Sequence, residues 1–170
     1  MYVTNSLRDW DISAEQYFKQ PYFKVNESLI AVMGFGYGGF VALHVAKQSV
    51  VSCTVAVAPL TDLNNLDLYN KQRYLGSEEI DRSLALNYMC DRKDDCTVSS
   101  KQNIFIIHGV QDEVISYKNS MSFIRELQLA GYNFRQQIYP EVGHNIRESK
   151  VYKHYYQSVT NFISECFTAS

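Results

Sequence analysis

The sequence predicts an α/β domain with a mostly parallel sheet of about four strands flanked by helices. Three observations carry this. Short apolar runs at Leu29–Met33, Ser52–Ala58 and Asn103–His108 have the length and composition of strands buried on both faces. Segments of helical periodicity separate such runs. Leu29–Lys47 (LIAVMGFGYGGFVALHVAK) places a strand, a glycine turn and a helix in immediate succession, and that helix leads into the second strand. A strand–helix–strand unit of this kind implies a parallel pair and a right-handed crossover.

Taken in order, Asp11–Tyr22 is expected to begin as a helix with Ile12, Tyr17 and Phe18 on one face, ended by Pro21. After the Leu29–Met33 strand, Gly34, Gly36, Gly38 and Gly39 crowd one tight turn. Phe40, Val41, Leu43 and Val45 follow at helical spacings among small residues, so a buried helix leaves it. Leu60–Cys96 is polar and aromatic, without a clear strand, and is expected to form an excursion above the sheet. Asn103–His108 (NIFIIH) is turned by Gly109, and Met121–Ala130 is an amphipathic helix stopped by Gly131. Asn133–Tyr139 alternates into a fourth strand that Pro140 ends. The last helix, Val151–Cys166, carries Tyr152, Tyr155, Tyr156, Val159, Phe162 and Ile163 on a broad apolar-aromatic face. No repeat, low-complexity segment or interdomain linker interrupts the chain.

A length of 170 residues suits one domain with a real core, and 46% hydrophobic content with 14% aromatic residues argues against disorder. The net charge of −2, with Lys and Arg scattered, gives no electrostatic case for nucleic acid or an anionic membrane. No apolar stretch approaches the roughly 20 residues that span a bilayer. The start, MYVTNSLRDWD, lacks the layout of a signal peptide, so a soluble chain is expected. The four cysteines are not arranged as zinc pairs, and neither a metal nor another cofactor is expected. Cys90 and Cys96 bracket a polar loop (MCDRKDDC) short enough for one bond to close. Asn26-Glu27-Ser28 is an N-glycosylation acceptor. Together these features tilt toward a secreted or ectodomain setting.

The glycine turn admits three readings. Strand, turn and helix are the parts of a nucleophile elbow, G-x-S-x-G, in which a strained serine is presented above the sheet; here Gly36 stands at the serine position. Gly34, Gly36 and Gly39 also satisfy G-x-G-x-x-G, but a dinucleotide site needs an acidic residue ending the next strand. That strand ends in Ala58-Pro59, with Asp62 only beyond the proline. The plain alternative is that the glycines let the helix pack close to the sheet.

Ligands of such sheets gather at the carboxyl ends of the strands. There the chain places the glycine turn, then Asp112 after IIHG, then Gly143-His144 after QIYP. Nucleophile, acid and base in this order match the hydrolase triad of the architecture. Taken singly, Asp112 reads more simply as a turn or cap residue, and His144 as a loop histidine bonded to backbone. Their joint occurrence at the right strand ends raises the triad reading.

These residues resemble the dipeptidyl peptidase IV branch of the prolyl oligopeptidase family over nearly the whole chain. Gly34–Phe40 (GFGYGGF) is similar to the family's G-W-S-Y-G-G-Y elbow, and Cys53–Pro59 (CTVAVAP) to its C-G-I-A-V-A-P strand. Arg73–Gly76 (RYLG) resembles its E-R-Y-M-G, Ile107–Asp112 (IHGVQD) its I-H-G-T-A-D, and Glu165–Phe167 (ECF) its terminal Q-C-F. Gly143-His144 stands where the family keeps D-H-G.

The resemblance implies that Asp112 is the triad acid, His144 the base and Gly36 the nucleophile position without its serine. Tyr37 then takes the place of the residue whose backbone N–H helps form the oxyanion hole. The family's aromatic proline pocket falls on Leu63, Leu66 and Asn70, and Val114 replaces an asparagine two residues past the triad aspartate. Residues 1–170 are expected to be the C-terminal part of the catalytic α/β-hydrolase domain, without the propeller and the first hydrolase strands. A disulfide between Cys53 and Cys166, a homodimer through the late helices, and a secreted or extracellular plasma-membrane setting are likewise implied. The family includes non-catalytic members that are auxiliary subunits of potassium channels, and APLTDL and YPEVGHN resemble that subgroup. The expected function is therefore an inactive family member working through binding or dimerisation, with a possible channel-like partner by analogy. The alternative is an active dipeptidyl peptidase.

Overall fold

Four strands lie side by side in chain order: β1 (Ile30–Phe35), β2 (Val51–Val57), β3 (Asn103–Gly109) and β4 (Phe134–Tyr139). All three pairings are parallel. They belong to a computed structural model that describes residues 29–46, 50–62, 103–146 and 149–168. Among the described residues three helices accompany them: α1 (Tyr37–Val45), α2 (Lys118–Leu129) and α3 (Tyr152–Thr168). The expected Asp11–Tyr22 helix and nearly all of the Leu60–Cys96 excursion lie outside the described residues.

Alternate residues of the central strands serve two cores, which explains why β2 and β3 are apolar throughout rather than alternating. Ala56, Ile104 and Ile106 pack with Leu43 of α1 and with Phe123, Ile124 and Leu127 of α2. Val55, Val57, Phe105 and Ile107 face the other way, against Tyr155, Val159 and Phe162 of α3. A disulfide between Cys53 and Cys166 ties β2 to α3 across that second core, with the two Cα atoms 6.3 Å apart. At the far side of the sheet, β4 does not show the expected alternation: Arg135 and Gln136 are both exposed, and only Tyr139 is buried. Its Arg135 pairs with Glu165 at 2.6 Å and lies over the Phe162 ring, pinning α3 to the strand.

The element ends follow local chemistry. α2 stops where Gly131 takes a φ of 74°, with Tyr132 N–H donating to Leu127 and Gly131 N–H to Gln128. β1 runs two residues beyond the expected Met33, so the crowded turn of four glycines is not what forms. Gly34 belongs to the strand, while Gly38 and Gly39 belong to α1. Only Gly36 remains to make the turn. The reason is packing: a Cβ on Gly34 would run into the Gly38 backbone. No described helix is long and apolar enough to cross a membrane.

α3 divides its aromatic face. Tyr155, Val159, Phe162 and Cys166 recur at helical spacing and are buried, while Tyr152 and Tyr156 face outward. Tyr155, one of the six residues of the expected apolar-aromatic face, is 1% exposed and part of the core, so it is not available to an association surface.

Candidate active site

The carboxyl ends of β1, β3 and β4 supply the site. At the end of β1, Gly36 adopts φ 59° and ψ −119°, a conformation that residues with a Cβ rarely occupy. Three backbone bonds hold it: its N–H donates to Val57 O at 2.9 Å, and its carbonyl accepts from Phe40 and Leu60, each at 3.2 Å. The elbow is thus stitched to the end of β2 and to the first turn of α1. Tyr37 opens that helix half-buried, its ring 5.7 Å from Phe40.

Asp112 follows β3, its carboxylate shut off from solvent. Oδ1 accepts the N–H groups of Val114 at 2.9 Å and Ile115 at 2.7 Å. Oδ2 accepts Nδ1–H of His144 at 2.8 Å and faces Nε2 of His108 at 3.3 Å. The turn-capping and histidine-holding readings of Asp112 are therefore both true, one for each oxygen. Burial pushes its carboxyl up, but the bonds from His108, His144, Ile115 and Val114 outweigh that and bring it down to about 2.

His144 stands in the loop after β4. Its ring packs against Phe35 at 4.7 Å, which sets it beside the residue preceding Gly36. Ile115 closes the arrangement from the Asp112 side, since its Cδ1 lies 3.3 Å from where a Cβ on Gly36 would sit. With Nδ1 committed to Asp112, the lone pair of the neutral imidazole lies on Nε2.

His108 had no role assigned from the sequence. Its place in the IIHG strand end, four residues before Asp112, was the available signal. It is fully buried, with Nε2 also 3.0 Å from the Ile115 carbonyl and Nδ1 2.7 Å from Ser120 Oγ. Both Nε2 neighbours are acceptors, so the hydrogen-bond network assigns the proton to Nε2 and makes Ser120 the donor to Nδ1. Val114 lies beside the site and is 67% exposed. Leu63, Leu66, Asn70, Asn26, Cys90 and Cys96 lie outside the described residues.

The model of the prolyl oligopeptidase family, Peptidase_S9, matches residues 3–170. The chain belongs to this family. Curated relatives include one named inactive dipeptidyl peptidase 10 from Rattus norvegicus, 30% identical over 163 residues. That match covers 91% of this chain and 19% of the relative. Dipeptidyl peptidase 4 from Bos taurus is 29% identical over 165 residues, covering 92% of this chain and 21% of the relative. The chain thus spans about a fifth of the length of these family members. Among solved structures, Porphyromonas gingivalis dipeptidyl peptidase 4 superposes with a TM-score of 0.70 at 24% identity, over 93% of this chain and 22% of that one. Pyrococcus horikoshii acylaminoacyl peptidase gives 0.73 at 17%, over 89% and 26%. These two establish the fold, that of α/β-hydrolase peptidases.

Proposed function

We propose that this chain is a member of the dipeptidyl peptidase IV-like branch that is catalytically inactive as a peptidase, in which Gly36 occupies the nucleophile position while Asp112 and His144 persist as acid and base. The observation that carries this is Gly36 itself. It holds a turn conformation between β1 and α1 that would strain a residue with a Cβ, close to the Asp112–His144 pair, and has no atom able to attack a carbonyl. Tyr37 then stands at the oxyanion position, and Val114, Leu63, Leu66 and Asn70 at positions of the substrate pocket. A relative whose printed name calls it inactive supports the reading.

The function proposed in place of peptidase activity is binding, with self-association through α2 and α3. A membrane-protein partner is proposed by family analogy alone. The Cys53–Cys166 disulfide, of a kind that persists in oxidising compartments, supports an extracellular or secreted setting. A fluorophosphonate probe tests the central claim, because only an activated serine is labelled. Absence of labelling and of Gly-Pro chromogenic hydrolysis is expected. The alternative, an active peptidase, draws on the intact acid–base pair and on the match to dipeptidyl peptidase 4. Labelling would establish it.

A further inference from the structure

The chain has four histidines, and all lie among the described residues: His44 and His108 are buried, while His144 and His154 reach solvent. The two solvent-facing imidazoles differ in what stands behind them. His154 Nδ1 meets the hydroxyl of Tyr139 at 2.8 Å, a neutral partner. His144 Nδ1 donates to the carboxylate of Asp112, which two backbone N–H groups and His108 hold in place. A carboxylate in that position fixes the tautomer and stabilises positive charge on the ring when it takes a proton. The His144 side chain is 26% exposed and rests on Phe35, and the neighbouring Gly36 carries no hydroxymethyl group to stand before it.

We propose that the Asp112–His144 pair hydrolyses small activated acyl esters, such as aryl acetates, with water as the nucleophile; this rests on reading these residues as the surviving acid and base. The oxygen of a water molecule bonds to the ester carbonyl carbon while His144 Nε2 takes one of its protons. The tetrahedral intermediate then breaks its bond to the aryloxide, and the proton passes from His144 to that leaving group. One ester and one water become one carboxylic acid and one phenol, with the imidazole neutral again. Aryl esters suit a site lacking a nucleophile because the aryloxide is a weak base whose departure needs little help from the proton that His144 returns. A peptide amine does not, and its hydrolysis demands the orientation of a complete site.

The experiment follows p-nitrophenyl acetate hydrolysis by the chain and by His144→Gln, His154→Gln and Asp112→Asn variants, each verified as folded by circular dichroism. Expected are a fall of roughly tenfold or more for His144→Gln, a fall for Asp112→Asn, no change for His154→Gln, and a slower rate in heavy water. Fluorophosphonate treatment should leave the rate unchanged. A His144→Gln variant as fast as the parent overturns the proposal even if Asp112→Asn fails to fold. An acetyl group found on His144 by mass spectrometry also overturns it, because the ring would then be the nucleophile. Loss of the rate after fluorophosphonate instead overturns the reading of Gly36 as a position without a nucleophile.

Discussion

The Nε2 of His108 lies 3.3 Å from Oδ2 of Asp112, four residues further along the chain, and both side chains are closed to solvent. His108 also bonds Ser120 and the Ile115 carbonyl, so one ring braces the end of β3, the following turn and the start of α2. Leucine at this position would leave the Ser120 hydroxyl without its ring partner. Unsatisfied buried groups cost about 1–3 kcal/mol each. His108→Leu is therefore expected to lower unfolding stability by roughly 2–3 kcal/mol, measured as a reduced urea midpoint with an unchanged slope. A midpoint equal to the parent's would mean that the ring is held by packing alone.

Asp112 makes stability depend on acid. Its carboxyl titrates near 2 in the folded chain against an ordinary value of 3.8. As pH falls, the unfolded chain takes up this proton first. The stabilisation is complete above about pH 5 and is lost as pH falls through 4 toward 2, amounting to about 2 kcal/mol. Urea titrations from pH 6 to pH 2 should show this loss in the parent, and a shallower slope in Asp112→Asn.

Two glycines of the elbow should respond differently to a side chain. Gly36 is strained for any other residue, at about 1–3 kcal/mol, yet its Cβ would meet only the flexible end of Ile115. Gly36→Ser should therefore fold with a modest loss of stability. If Leu63, Leu66, Asn70 and Val114 stand at the pocket positions proposed for them, it should not reach family-like peptidase rates, because none of these side chains is aromatic. Gly34→Ala drives a Cβ into the Gly38 backbone, which cannot yield without moving α1. A thermal scan should place Gly34→Ala well below Gly36→Ser. The reverse order would contradict the packing account of β1.

What the sequence disclosed here was set by periodicity and by strand-end position. The apolar runs located β1, β2 and β3 to within two residues, because burial on both faces forces continuous hydrophobicity on β2 and β3. Asp112 and His144 were legible as a pair because each follows a strand end. The network around His108 was not, since a histidine within an apolar strand carries no sign of which atoms its two nitrogens meet. Gly34 was placed in the turn because a glycine required for close approach to a helix looks the same in sequence as one required for positive φ.

The Cys53–Cys166 bond closes a separation of 113 residues. Constraining a loop of that length in the unfolded chain stabilises by roughly 4–5 kcal/mol on the chain-entropy account. A Cys53→Ser, Cys166→Ser double variant should lose most of that in a denaturant titration. Non-reducing peptide mapping of the parent should recover the two cysteines as one linked pair. Their recovery as free thiols would remove the bond from the account.

α3 turns two of its tyrosines outward and keeps one within. Tyr152 and Tyr156 are 43% and 48% exposed and sit four residues apart, hence on one face of the helix. Tyr155 is buried between them in sequence, its ring 5.0 Å from that of Tyr156 in an edge-on contact. α2 adds Met121 and Leu129 to the exposed apolar surface. Tyrosine suits an interface because its ring buries while its hydroxyl stays wet. If α3 carries the self-association surface, changing Tyr152 and Tyr156 together to serine should convert a dimer to a monomer in light scattering. The melting temperature extrapolated to low concentration should hardly move, because neither ring belongs to the core. Tyr155→Ser should do the opposite, costing about 3 kcal/mol or more through the cavity it opens, with no specific effect on association. A discrete dimer that survives the Tyr152 and Tyr156 changes would put the interface on another face of the molecule.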